Sequence, residues 1–176
     1  MNIRRRRLLL VCALLALGPR MVCADGIFGA REDPDAPPWQ EREVTLPAFP
    51  KDDDLIEFYV SATTANRFFV DAKSIDAGGD GVVRYALVIR TAGGATNVSY
   101  EGIRCERMEY RLYASGRADG NWAKVRSADW KPIENKPINR HHAALNRSYF
   151  CPGGVAIRSA DEGRDALRRG RHPDAN

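Results

Sequence analysis

Two cysteines, Cys105 and Cys151, lie in the second half of the chain, and two more lie within residues 1–24. A cysteine can be a nucleophile, a metal ligand, a buried small side chain or half of a disulfide, and the redox compartment decides among these roles. In an oxidising compartment Cys105 and Cys151 are expected to pair as a structural disulfide; a redox site and an intermolecular bridge are the alternatives. The sequence has no Cys-x-x-Cys motif, which argues against an oxidoreductase.

Residues 1–24 have the order of a secretory signal peptide. The basic run Arg4–Arg7 precedes the apolar run Leu8–Gly18, and small residues then lead to Ala24. The apolar run is shorter than the ~20 residues that a membrane-spanning helix needs. We therefore predict cleavage between Ala24 and Asp25 and a periplasmic or envelope-associated protein, with an uncleaved anchor as the alternative.

The basic character of the chain is concentrated in the same segment. The formal net charge of +4 and the pI near 9.0 first suggest a nucleic-acid-binding protein. However, residues 1–24 hold five arginines and no acidic residue, so the rest of the chain is slightly acidic. We therefore predict no nucleic-acid binding, and no transmembrane segment after Asp25.

The acidic clusters do not predict a metal site. Asp52–Asp54 is expected to be a solvated segment before a strand. The loop DAGGDG at residues 76–81 resembles the start of a calcium-binding loop. Its third position is Gly78, and Leu87 stands where the bidentate glutamate is required, so a hairpin turn is the better interpretation.

The histidines are likewise not expected to hold a metal ion. His141 and His142 are adjacent, so on a helix their side chains point about 100° apart. We expect one ring to face the sheet and the other to face solvent. HExxH, G-x-S-x-G and phosphate-binding glycine motifs are all missing, so the sequence predicts no cofactor and no catalytic residue. Carboxylates and histidines that are distant in sequence could still meet in the fold.

Several aromatic residues and two arginines form a possible binding face. The alternative is that these side chains pack in the core or on the sheet. The residues concerned are Tyr100, Trp122, Trp130, Arg84 and Arg90.

Alternation of apolar and polar residues predicts a mainly antiparallel β-sheet. Between residues 97 and 105 the pattern changes, because Val98 and Tyr100 share one parity and Ile103 and Cys105 the other. We predict a β-bulge at Gly102 to account for this change. The predicted strands are residues 55–60, 67–71, 82–91, 97–105, 109–114 and 121–125.

Helical patterns come late in the chain. One helix is predicted at residues 139–150 and is ended by Pro152. A second is predicted at residues 158–170, where Ser159 and Glu162 have the spacing of a capping box. Strands followed by helices indicate an α+β fold, with a curved, mainly antiparallel sheet and C-terminal helices packed on it.

The domain organisation follows from these elements. Residues 1–24 are the predicted signal peptide, and residues 25–43 are a flexible arm rich in proline and acids, with Trp39 able to pin its end. Residues 44–170 form the single predicted domain, and residues 171–176 a frayed tail.

Several short motifs follow one another in a specific order: LPAFP, FFVDAKSI, DGVVRYALVIR, NVSYEGIRC, EYRLYASGR, FCPGG and RRGRHP. This order resembles the cryptic neisserial protein one-like family, exported bacterial proteins without an assigned activity, over about residues 39–173. The family's cysteines fall on Cys105 and Cys151, which is consistent with the disulfide. A more distant likeness to a bacterial surface-adhesin family with a curved antiparallel sheet concerns the fold and implies no function.

The leading functional hypothesis is a non-enzymatic periplasmic or cell-envelope protein that acts by binding or by a structural role. Its partner would be an envelope protein or a small ligand. The alternatives are a surface-exposed adhesin and an envelope hydrolase with an assembled carboxylate and histidine site.

Overall fold

The computed structural model describes residues 37–126 and 129–175. The predicted signal peptide, its cleavage site between Ala24 and Asp25, and residues 25–36 of the predicted arm lie outside these described residues.

The strands form one antiparallel sheet. They are β1 (Leu55–Phe58), β2 (Arg67–Asp71), β3 (Asp76–Ala77), β4 (Val82–Arg90), β5 (Thr96–Arg104), β6 (Glu109–Gly116), β7 (Trp122–Lys124) and β8 (Lys131–Pro132). Their order is β1-β2-β4-β5-β6-β7, with β3 paired to β4 and β8 paired to β6. Together with the C-terminal helices, this sheet confirms the predicted α+β class.

The hairpin of β4 and β5 forms the middle of the sheet. The two strands pair along their whole length, from Val82 opposite Arg104 to Arg90 opposite Thr96. Alternation along β4 points the side chains of Tyr85 and its odd-numbered neighbours to one face, as predicted, and they belong to the main core.

The β-bulge lies in β6, not at Gly102 where the sequence predicted it. Tyr100 and Glu101 are consecutive in β5, but their partners in β6 are two residues apart, which leaves Tyr113 as the extra residue. Gly102 instead allows a close approach, because a Cβ atom there would lie 2.6 Å from the Tyr113 hydroxyl. The prediction failed because both faces of the sheet are covered. Odd- and even-numbered residues of β5 can therefore be buried together without a bulge in that strand.

Two helical segments cover one face of the sheet, which we call the helix face. The first, called the histidine helix, runs as α1 (Arg140–Ala144) and continues as a π-helix (Leu145–Phe150); the second is α2 (Ala160–Arg168). Within the described ranges, no helix combines the length and apolar character needed to cross a membrane. The core between helices and sheet includes Tyr85, Leu87, Ile103, Leu145, Tyr149, Phe150, Ile157 and Leu167.

The predicted disulfide is present. It joins Cys105, one residue beyond β5, to Cys151, one residue beyond the histidine helix, and both are buried. Because the bridge closes a loop of 46 residues, the chain-entropy model gives a stabilisation of about 4 kcal/mol. The bridge holds the end of the histidine helix on the sheet.

An extended segment, residues 39–49, crosses the opposite face of the sheet; we call it the strap and this face the strap face. The Trp39 indole donates a hydrogen bond to the Asp80 carbonyl at 2.8 Å, and the Trp122 indole donates to the Pro47 carbonyl at 2.9 Å. Val44 and Leu46 pack on a second apolar cluster of Ala86, Tyr100, Tyr113 and Ala114. Residues 39–43, assigned to the arm from the sequence, therefore lie on the domain.

The C-terminal residues are held in place. Ser159 caps α2 by accepting a hydrogen bond from the Glu162 amide at 3.2 Å, as its spacing predicts. Beyond α2, the His172 amide donates to the Ser148 carbonyl at 2.7 Å, and both His172 and Ala175 are buried. The expected frayed tail is thus docked as far as the last described residue, because His172 supplies buried polar contacts that its sequence position does not reveal.

Candidate functional site

The five residues of the predicted binding face are distributed along the strap face. Arg84 and Tyr100 are 1% and 2% exposed, so the strap leaves neither available as a binding surface. Arg90 is partly exposed and pairs with Asp52 at 2.8 Å. The two remaining residues contact aromatic rings near the strap, Trp122 with Phe49 at 5.1 Å and Trp130 with Trp39 at 6.1 Å between ring centroids.

Arg84 belongs to an ionic network on the strap face. Its guanidinium contacts the carboxylates of Asp80 at 2.6 Å and of Glu41 at 3.3 Å. Arg111 bonds the other oxygen of Glu41, and the Tyr113 hydroxyl donates to Glu41 at 2.5 Å. Burial raises the pKa of Asp80, but the bonds and charge of Arg84 outweigh burial and lower this pKa to about 2. The network therefore balances its own charges and fixes the strap to the sheet.

A different cluster lies on the helix face, where Glu101 of β5 meets His141 and His142 of the histidine helix. One potential ligand atom from each residue lies within 4.8 Å of those of the other two. The His142 Nε2 atom is 2.8 Å from a Glu101 carboxylate oxygen. All three side chains are buried, at 6% exposure for Glu101, 7% for His141 and 4% for His142.

Two strand aromatics hold the imidazole rings. Tyr110 stacks on His142 with ring centroids 3.8 Å apart, and Phe68 stacks on His141 at 5.5 Å. The two histidine rings are 4.1 Å apart. The prediction that one ring faces solvent is therefore wrong. Two side chains that diverge by about 100° can both reach a curved sheet, one near β2 and the other near β6.

Hydroxyl groups orient the Glu101 carboxylate. Ser99 donates to one oxygen at 2.7 Å, and Tyr85 donates to the other at 3.2 Å. Burial raises the pKa of Glu101, but the charge and hydrogen bond of His142 outweigh burial and hold this pKa below its usual range. Burial, followed by the neighbouring His142, lowers the pKa of His141 to about 4, so its imidazole is neutral near pH 7.

A second histidine–glutamate pair, made of the buried His172 and the partly exposed Glu162, lies at the C-terminal tail. The His172 Nε2 atom is 3.0 Å from Glu162, and its Nδ1 atom accepts a hydrogen bond from the Asp174 amide at 3.1 Å. Both ring nitrogens of His172 therefore have partners. In contrast, His142 Nδ1 is buried without a hydrogen-bond partner among the described residues.

Sequence reasoning missed Glu101 as a site residue, although a signal was present. In the predicted strand at residues 97–105, Glu101 shares the parity of Ile103 and Cys105. An acidic residue on the core side of a strand is costly to bury without a partner, so it marks a buried polar site.

An open groove of about 560 Å³ runs along the outer side of the histidine helix. Arg140, Arg147 and Arg171 line it, and no acidic residue does. Arg140 is fixed by donating to the hydroxyls of Ser61 at 3.0 Å and Thr63 at 2.7 Å. The groove is thus a cationic concavity with one immobilised guanidinium.

Comparisons with known proteins support the family resemblance that the sequence motifs indicate. The model of the CNP1-like family matches residues 34–168. The chain belongs to the CNP1-like family. Among curated proteins it is similar to Cryptic neisserial protein 1 of Neisseria gonorrhoeae, with 30% identity over 145 residues that cover 71% of each chain. No solved structure matches the chain.

Membership of the family confirms the resemblance expected from the sequence motifs. The matched range begins before the strap and ends in α2, so it includes both faces of the sheet. It also contains Glu101, both histidines of the histidine helix, and the disulfide. The family assignment supplies no reaction, so functional inference depends on the groove and the Glu101 cluster.

Proposed function

We propose that this protein is an exported, non-enzymatic binding module of the bacterial cell envelope, and that it takes a small anionic ligand in the groove beside the histidine helix. The observation that carries this proposal is the composition of the groove, in which three arginines converge without a single lining carboxylate. A volume of about 560 Å³ lies in the range of small-molecule sites.

The arginines suit a carboxylate or phosphate ligand. A guanidinium presents a planar set of donors that matches either group with two parallel hydrogen bonds. Arg140 is already held by Ser61 and Thr63, so less side-chain entropy is lost when it binds an anion. Arg147 and Arg171 then supply charge on the same side of the helix.

A binding role is favoured over catalysis because the groove has no aspartate, glutamate, histidine or cysteine in its lining. General acid–base and nucleophilic catalysis depend most often on those side chains. The alternative of an envelope hydrolase would use Glu101 and His142. Their burial keeps them from a substrate bond, so that alternative requires the histidine helix to open.

The binding proposal is tested by thermal-shift and calorimetric titration with inorganic phosphate, pyrophosphate and citrate. The Arg140→Ala and Arg147→Ala variants should each weaken binding by about tenfold, because each loses a charge-assisted hydrogen bond. The control is Arg169→Ala, since Arg169 is exposed, pairs with Asp165 and does not line the groove. Equal binding by all variants, or none by the wild type, would refute the groove as the site.

Export is a separate part of the proposal, supported by the signal-like residues 1–24 and by the disulfide. Intact-mass measurement on fractionated cells is expected to find a periplasmic species that starts at Asp25. This species should gain two mass units on reduction. A full-length cytosolic protein with free thiols would contradict it.

A further inference from the structure

The Glu101 cluster has the donor set of a transition-metal site. A carboxylate and two imidazoles are the three protein ligands of many zinc sites that keep a fourth position open. Their ligand atoms already lie within 4.8 Å of one another. Donors around a tetrahedral zinc ion are about 3.3 Å apart for bonds of 2.0–2.1 Å, so small side-chain rotations close the site.

The surroundings of Glu101 resemble the outer shell of a metal site. Ser99 and Tyr85 each donate a hydrogen bond to its carboxylate, which fixes the orientation of the oxygens. Such outer partners orient ligands and tune their affinity. The stacked rings of Phe68 and Tyr110 restrict rotation of His141 and His142. The three donors are therefore held near one another before any ion binds.

The contrast between His142 and His172 shows which histidine can exchange a ring proton for a bound ion. At His172, Nδ1 accepts from the Asp174 amide, so Nε2 must keep its proton and donate to Glu162. At His142, Nδ1 has no such partner among the described residues. Its Nε2 atom shares a proton with the Glu101 carboxylate across 2.8 Å, and a bound ion would displace that proton to solvent.

The charge of the buried Glu101 carboxylate also favours a bound cation. A buried carboxylate is costly unless a cation compensates it. A divalent ion between the three side chains would neutralise Glu101 and coordinate both imidazoles.

We propose that Glu101, His141 and His142 bind one divalent transition-metal ion of the zinc type between β5 and the histidine helix. The ion takes the place of the proton that Glu101 and His142 share, and it links the histidine helix to β5. None of the three residues lines the groove, so this site is independent of the proposed anion binding.

The test uses the untagged protein, purified from its native compartment and stripped of metal with a chelator. Titration with Co²⁺ is followed by visible absorption, and Zn²⁺ is then added as a competitor. We expect saturation at one equivalent, displacement by Zn²⁺, and a higher melting temperature with either ion.

Variants assign the ligands. Glu101→Gln keeps one acceptor oxygen for Ser99 or Tyr85 but loses a charged ligand, and His142→Gln removes an imidazole. Each should weaken Co²⁺ binding by at least about 100-fold, the upper end of the loss caused by removing an outer-shell partner. His172→Gln, the matched control in the second pair, should bind as the wild type does. Circular dichroism of each variant separates a lost ligand from a lost fold.

Three results would overturn the proposal. The wild-type protein could show no saturable binding, the folded Gln variants could bind as the wild type does, or His172→Gln could abolish binding. The wild-type titration shows whether the protein binds a metal ion saturably, even if a variant does not fold.

Discussion

The two faces of the sheet bury charged groups in different ways. On the strap face, Arg84 lies between the carboxylates of Asp80 and Glu41, and Arg111 bonds Glu41 as well, so opposite charges meet inside one network. On the helix face, Glu101 faces two imidazoles, and one ring nitrogen of His142 has no partner among the described residues. The comparison teaches that burial of charge alone does not mark a functional site. A network whose positive and negative charges balance fixes the fold, whereas a buried carboxylate beside two imidazoles offers donor atoms to a metal ion.

The largest effect expected on the helix face comes from the disulfide. Replacing both cysteines in a Cys105→Ala/Cys151→Ala variant should lower the free energy of unfolding by about 4 kcal/mol, because the unfolded chain regains the entropy of a 46-residue loop. Urea denaturation measures the change. Reduction of the wild-type protein should give a similar loss, and a change below about 1 kcal/mol by both routes would mean that the bridge does not hold the helix on the sheet.

On the strap face, Arg84 and Arg90 form a matched pair in one strand. Arg84→Met should cost about 3 kcal/mol, because it leaves Asp80 without its cation and Glu41 with Arg111 alone. Arg90→Met should cost less than about 1 kcal/mol, since Arg90 and its partner Asp52 are both accessible to solvent. Chemical denaturation compares the two. Equal costs would contradict the interpretation of the strap-face network as structural.

The acid response of the strap face should be traceable to Asp80. Its pKa is about 2 in the folded protein and near 3.8 in the unfolded chain. A depressed carboxyl pKa stabilises the folded state fully above the unfolded value, and this contribution disappears as the pH falls through the folded value. The loss between pH 4 and pH 2 should be about 2 kcal/mol.

An Asp80→Asn variant should lack this part of the acid dependence. Urea unfolding at several pH values measures the difference between the two proteins. Parallel pH profiles for wild type and variant would show that Asp80 is not ionised preferentially in the folded state.

The central strands and the disulfide could be predicted from sequence because local patterns determine them. The alternation in β4 places Tyr85 and its odd-numbered neighbours on one face, and two cysteines that follow a predicted signal peptide are expected to pair. The strap was predicted only at Trp39, because its contacts with Asp80 and Trp122 join residues that are far apart in the chain.

The Glu101 cluster could not be predicted for a related reason. The sequence shows that His141 and His142 diverge on a helix and that Glu101 lies on the core side of its strand, but not that this helix packs over Glu101. The tail was also misjudged, since the partners of His172 are Glu162 of α2 and Ser148 of the histidine helix. Periodicity reports which side of an element is buried, and it does not report which distant side chain lies opposite.

The most direct test compares side-chain ¹H–¹⁵N NMR spectra of the histidines before and after addition of one equivalent of Zn²⁺. It distinguishes His172, whose two ring nitrogens both have partners, from His141 and His142, the proposed metal ligands. The chain has three histidines, so each ring can be assigned with one variant. The account predicts that the ring nitrogens of His141 and His142 shift on addition of Zn²⁺, while His172 keeps its protonated Nε2 and does not respond. A response at His172, or no response at His141 and His142, would contradict it.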